Sequence, residues 1–277
     1  MTAAATAAEA LALARSLGVE RLDAQLLVCH VLGRERGWLI ANDDAALAEG
    51  QALAIEELLR RRADGVPYAY LVGAQEFHGL LLEVDKHTLV PRADTETLVD
   101  WALELLAPLP GTPSVVDLGT GSGAIALAIK HRHPAAAVAA VDLSAGALAV
   151  AGRNAARLGL EVEFHCGDWW QPLQGRRYDL IVSNPPYIAG DDDHLPALRH
   201  EPLTALTPGG DGLAALRAII DGAPAHLQPG GWLLLEHGYD QAESVASLLA
   251  GRGFEALALR HDLGCRPRVS GGRWSRG

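Results

Sequence analysis

Asn184-Pro185-Pro186-Tyr187 closes the apolar run from Tyr178 to Ser183, and residue types in this order can help alkylate a planar NH2 group. Such a nitrogen is a poor nucleophile because its lone pair is delocalised into a carbonyl or a ring. It attacks only when its hydrogens are held by acceptors. The side-chain oxygen of Asn184 supplies one acceptor. The carbonyl of Pro185 can supply a second, because two consecutive prolines restrict φ and hold that carbonyl in one direction. Tyr187 adds a ring face that can stack on a planar acceptor and lie near a sulfonium. A proline-rich loop after a strand is also common, so the four residues alone leave a structural role open.

A second motif narrows the choice. Ser114 to Leu118 reads as a buried strand, Gly119-Thr120-Gly121-Ser122-Gly123 follows, and Ala124 to Lys130 has helical composition. Strand, glycine loop and helix together cradle a nucleotide-type ligand, because the backbone approaches closely and its N–H groups point at the ligand. A further strand, Val138 to Val141, ends at Asp142, 23 residues after Gly119. A carboxylate there can accept both hydroxyls of a ribose. Gly119-x-Gly121-x-x-Ala124 also fits a nicotinamide fingerprint, but a dehydrogenase has no use for Asn184 to Tyr187. The pair of motifs predicts an S-adenosylmethionine-dependent methyltransferase.

The elements that must position these residues follow from the hydrophobic pattern. Residues 1–72 carry helical spacing only, over Ala7 to Leu17, Leu22 to Leu32 and Ala45 to Arg62, with Gly18, Gly33 and Gly65 as stops. Trp38 and His30 in this bundle read as core or rim. Residues 73–92 form a linker in which Glu76 to Val84 predicts a hairpin. Asp94 is the expected N-cap of an amphipathic helix from Thr95 to Leu106. From Ser114 strands and helices alternate, which builds a mostly parallel sheet with helices on both faces and a ligand site at the strands' carboxyl ends. Gly119, Asp142, Gly167-Asp168-Trp169 and Asn184 all fall at such ends. Asp168 is expected to meet an adenine amino group and Trp169 to pack on the adenine ring.

Composition limits the function classes. The 277 residues suit one large or two modest domains, and no apolar run is long enough to span a membrane. Met1-Thr2-Ala3-Ala4-Ala5 lacks a signal-peptide layout, so a cytoplasmic protein is expected. Cys29, Cys166 and Cys265 form no C-x-x-C, which predicts neither a disulfide framework nor a metal site. A net charge of −11 argues against nucleic acid as substrate. Arg60-Arg61-Arg62 and the C-terminal Arg266, Arg268, Arg273 and Arg276 read as solvated faces.

Over nearly its whole length the chain resembles the protein-(glutamine-N5) methyltransferases that modify peptide chain release factors. The motifs are Pro67 to Gly79 as P-x-x-Y-x-x-G-x-x-x-F-x-G, Val90 to Glu96, Asp117 to Gly123, Asp142, Gly167 to Trp169, and Asn184 to Tyr187. Glu201-Pro202-x-x-Ala205-Leu206, Gly210-x-Gly212-Leu213 and Leu235-Glu236-x-Gly238-x-x-Gln241 complete them. The resemblance implies a class I Rossmann-like α/β domain over 93–277 and a helical substrate-recognition domain over 1–72. It implies S-adenosylmethionine as cofactor, held by Gly119, Thr120, Gly121, Ser122, Gly123, Asp142, Asp168, Trp169 and Asn184. The implied acceptor is the glutamine of the Gly-Gly-Gln loop, bound by Asn184, Pro185, Pro186 and Tyr187, with Asn184, Pro185 and Tyr187 carrying the chemistry. The family usually has proline at Ala93, and Asp262 to Arg268 departs from its usual wording. Alternatives are an enzyme that methylates a ribosomal-protein glutamine, or one that methylates a flipped DNA or RNA base with the same four residues. The latter would need a basic groove, which this acidic chain lacks.

Overall fold

The computed structural model describes residues 4–275, so Met1, Thr2, Ala3 and the basic Arg276 lie outside the described residues. The chain divides into two compact units, Met1–Ala74 and Gln75–Gly277.

The first unit holds α1 (Ala7–Ser16), α2 (Arg21–Leu32), α3 (Arg36–Ala41), α4 (Glu49–Ala63) and α5 (Tyr68–Val72). Its core is aliphatic, with Ala7, Ala10 and Ala14 of α1 packed among Leu27, Val28, Ile55 and Leu59. Alanines on that face let the helices approach closely. Helix α4 starts four residues later than the spacing predicts, because Ala46 is held in a bridge to Thr6. Helices α3 and α5 were not expected. Pro67 precedes α5 and Gly73, at φ 72°, ends it, so a run that reads as extended closes instead into one helical turn. Arg60 pairs with Glu56 and Arg62 with Asp23, so two of the three clustered arginines are engaged within the bundle.

In the second unit a hairpin of β1 (Ala74–Phe77) and β2 (Leu80–Glu83) comes first. His78 and Gly79 both have positive φ, 49° and 80°, as a two-residue type I′ turn requires. Residues 75–92 group with this unit rather than standing apart as a linker. The buried Asn154 is one reason: its Oδ1 accepts the N–H of Glu83 at 2.7 Å and its Nδ2 donates to the Glu83 carbonyl at 3.0 Å.

The main sheet contains β3 (Ser114–Leu118), β4 (Ala137–Asp142), β5 (Glu163–Cys166), β6 (Tyr178–Ser183), β7 (Leu227–Glu236), β8 (Glu255–His261) and β9 (Pro267–Arg273). Their order is β5-β4-β3-β6-β7-β9-β8, and β9 alone runs antiparallel to the rest, pairing so with β7 on one side and β8 on the other. Helices α6 (Glu96–Leu106), α7 (Ala124–Arg132), α8 (Ala145–Leu158), the short α9 (Leu203–Leu206), α10 (Ala214–His226) and α11 (Ala242–Arg252) make up the rest of the unit. Alternate strand residues enter two separate cores. Val115, Leu180 and Leu234 pack with α6 and α7, whereas Val116, Ile181 and Leu233 pack with α10 and α11. Coverage on both faces explains why these strands are almost wholly apolar.

One local expectation fails. Asp94 does not cap α6; residues Ala93–Thr95 form a 3-10 turn and Thr95 occupies the cap position. The carboxylate of Asp94 is drawn instead to the guanidinium of Arg268, 3.1 Å away.

Candidate active site

The strand order reverses between β3 and β6, and there the ends of the parallel strands open into a cavity of about 360 Å³. Gly119 to Ser122 follow β3, Asp142 ends β4, Asp168 and Trp169 follow β5, and Asn184 and Pro186 follow β6; all line this space. The other wall comes from Phe77, residues 86–89, Pro91, Arg92 and Thr95, with Pro202, Thr204 and Ala205. Three residues singled out from the sequence do not line it. Gly123 is buried, and a Cβ there would meet Leu127 at 3.0 Å and Ala151 at 3.2 Å, so it serves the packing of α7 on α8. Pro185 is buried, and Tyr187 is partly buried against the core under α10 and α11.

The glycine loop is held from below and from the side. Gly121, at φ 57°, directs its N–H to Oδ2 of Asp142 at 2.8 Å, while Oδ1 accepts from Ser144 N at 2.8 Å. Burial raises the Asp142 carboxyl, and these N–H groups oppose the shift. Beneath the loop, Asp117 is fully buried and pushed up to about 7 by burial, against hydrogen bonds from Thr120 and Ala126. The Thr120 hydroxyl reaches Asp117 Oδ2 at 2.6 Å. Asn154, which carries no sequence motif, also donates to the Ser122 carbonyl at 3.0 Å and ties the loop to the hairpin.

Asn184 donates from Nδ2 to Oγ1 of Thr95 at 3.2 Å, which turns Oδ1 to the other side of the carboxamide. Tyr187 donates its hydroxyl to Oε1 of Glu236 at 3.2 Å, and burial together with that carboxylate raises the phenol. The backbone of the turn is clamped by Ile188 N on Leu206 O and Gly190 N on Gly210 O, each at 3.0 Å. Across the cavity, the buried Glu201 accepts from Val90 N at 3.0 Å and from the Arg92 guanidinium. These ties give the Glu201 and Gly210 motifs a physical purpose.

The two neighbouring tryptophans separate in role. Trp169 has φ 41°, a strained value for an aromatic residue, and its ring lies over Gly119, where a Cβ would be 3.4 Å from it. Trp170 stacks on His226 with centroids 4.7 Å apart and donates to Ala218 O at 3.1 Å, which is core packing. The basic C-terminal residues are ties as well: Arg268 holds Asp262, Arg273 donates to Gly230 O at 3.1 Å, and Arg266 lies over Tyr239.

Comparison with known proteins places this geometry. Residues 96–213 match the Methyltransferase small domain family and residues 2–73 match the PrmC N-terminal domain. A release factor glutamine methyltransferase from Xylella fastidiosa is 51% identical over 258 residues, covering 92% of this chain and 94% of that protein. The chain belongs to the release factor glutamine methyltransferase family. A Bordetella pertussis member of the release factor glutamine methyltransferases is 50% identical, over 92% of this chain and 95% of its own. A methyltransferase structure from Pyrococcus furiosus shares the fold, with a TM-score of 0.54 and 18% identity over 70% of this chain and 89% of that one.

Release factor glutamine methyltransferases are S-adenosylmethionine-dependent, and the residues here fit that cofactor. The cavity volume lies in the range of small-molecule sites. A glycine loop brings its backbone to the cavity surface, a carboxylate sits at the next strand's end, and an aromatic ring stands over the loop. Among the described residues no helix is long and apolar enough to cross a membrane.

Proposed function

We propose that the protein transfers a methyl group from S-adenosylmethionine to the side-chain amide nitrogen of the glutamine in the Gly-Gly-Gln motif of peptide chain release factors. The observation that carries this reading is the Asn184 carboxamide, anchored by Nδ2 on Thr95 at the cavity wall. Its Oδ1 is thereby presented as an acceptor for one amide hydrogen of the substrate, and the Pro185 carbonyl takes the other. Holding both hydrogens keeps the nitrogen lone pair directed at the methyl carbon. Tyr187 and Pro186 flank the planar acceptor.

On the cofactor side, Asp142 accepts the ribose hydroxyls, Asp168 meets the adenine amino group and Trp169 packs on its ring. Gly119 to Ser122 contribute backbone groups, with Gly123 behind them. Bound S-adenosylmethionine supplies an electrophilic methyl carbon on a sulfonium. The nitrogen–carbon bond forms as the carbon–sulfur bond breaks, and the methylated amide then loses its proton to water. No general base is required.

A glutamine side chain is small and uncharged, so this cavity cannot choose among proteins alone. Residues 1–72 are the recognition domain in this reading, and the protein works in the cytoplasm with release factors as partners. Tritium transfer from labelled S-adenosylmethionine to purified release factor tests the proposal. Label on the Gly-Gly-Gln glutamine is the expected result. Label on a ribosomal protein or on nucleic acid, with none on release factor, overturns it.

A further inference from the structure

Behind Asn184, its anchor Thr95 meets a buried carboxyl that the reaction described above does not use. Thr95 is 4% exposed and Glu236, at the end of β7, is 1% exposed. The Thr95 hydroxyl accepts from Asn184 Nδ2 and also lies beside the Glu236 carboxyl, whose ionised form it favours. Oε1 of Glu236 receives the Tyr187 hydroxyl, while the buried Oε2 has no hydrogen bond of good geometry.

A hydroxyl has one hydrogen to give. If the hydrogen of Thr95 goes to Glu236, Thr95 can only accept from Asn184, and the NH2 end of the carboxamide must face it. If Glu236 itself carries a proton, it can donate to Thr95. The Thr95 hydrogen is then released toward Asn184, and the carboxamide is satisfied the other way round. It would then present NH2 to the NH2 of the substrate, two donors face to face. We propose that Glu236 and Thr95 are positioning residues that fix which end of the Asn184 carboxamide faces the acceptor glutamine. The proposal rests on the reading of Asn184 as the acceptor for the amide hydrogens.

The surroundings of Glu236 make its charge adjustable. Burial raises it to about 7, opposed by the Thr95 hydroxyl, the Arg268 charge and the Tyr187 hydroxyl, while Asp94 raises it further. Arg268 is shared between Asp94 at 3.1 Å and Asp262 at 3.0 Å, so Glu236 has only part of its charge. The adjacent His237, whose own affinity for a proton is lowered by burial, is turned toward Ser270 and the Gly238 carbonyl. A carboxyl titrating near neutrality would orient Asn184 correctly above that range and incorrectly below it.

The test compares kcat, its pH profile and S-adenosylmethionine affinity in the full-length enzyme and in E236Q, T95V, T95S and N184A. Wild-type kcat is expected to rise with pH through about 7 at constant cofactor affinity. E236Q and T95V are expected to lose about 10²-fold in kcat, the size of one misplaced transition-state hydrogen bond, and to lose the pH dependence. T95S keeps the hydroxyl and should keep both rate and profile. Wild-type kcat and profile in E236Q, or equal losses in T95S and T95V, overturn the proposal. If E236Q does not bind cofactor, the T95S and T95V pair decides alone. A loss in N184A without one in E236Q and T95V rejects only the positioning role. An unimpaired N184A rejects the role of Asn184 itself.

Discussion

Gln241 donates from Nε2 to the main-chain carbonyl of Tyr187 at 2.9 Å, while its Oε1 accepts the N–H of Gly238 at 2.9 Å. One side chain thus ties the turn after β6 to the turn after β7. Gly212 fits against that tie at φ 75°, where a Cβ would lie 2.3 Å from the Tyr187 oxygen and 3.0 Å from Gln241 Nε2.

Gly212→Ala is therefore expected to shift the Tyr187 turn. Methyl transfer should fall by roughly tenfold or more, because small displacements of positioned groups are expensive in rate. Cofactor affinity should change little. Single-turnover transfer alongside calorimetry reads both, and an unchanged rate would show that the turn is not held from this side.

Asp142→Ala removes the acceptor of the Gly121 and Ser144 N–H groups as well as the proposed partner of the ribose. S-adenosylmethionine binding should weaken by about 2 to 3 kcal/mol, the upper part of the range for hydrogen bonds to a charged group. Unaltered affinity by calorimetry would leave Asp142 with a structural role only.

Asp117 gives a pH signature of stability. Its folded value of about 7 exceeds the unfolded 3.8, so the native state binds the extra proton between them. The associated stabilisation is complete below the unfolded value and is lost as pH rises through the folded one. Melting temperatures of wild type relative to Asp117→Asn should fall from about pH 4 to about pH 7 and level off above. A difference that stays flat with pH contradicts the assignment.

Deleting residues 1–72 is expected to leave S-adenosylmethionine binding near wild type while raising the KM for release factor strongly. Preference for the whole factor over a short Gly-Gly-Gln peptide should largely disappear. A truncated enzyme that keeps the full preference would show that the helical unit does not select the substrate.

The sequence carried the features whose signal is local. Gly119 to Gly123 lie between a strand and a helix, and Asn184 to Tyr187 end another strand, so a few adjacent residues announce each. The role of Thr95 depends on a partner 89 residues away, and Glu236 meets Tyr187 across 49. No spacing rule connects them, although a glutamate closing the apolar run from Trp232 to Leu235 was a usable hint of a purposeful buried charge. Asn154 was hidden in an alanine-rich helix, where only the distant Glu83 backbone reveals its use. Asp94 satisfied the local rule for a cap, and a long-range ion pair with Arg268 outweighed it.

The position of β9 between β7 and β8 has a genetic consequence. The strand that follows β8 in the chain is an interior one, and it brings Arg268 within reach of Asp94 and Asp262. A stop codon just before Pro267 would spare every residue lining the cavity yet strand β8 without its neighbour and strip Asp94 of its counter-charge. Nonsense alleles at that point should therefore behave as nulls rather than as mild variants.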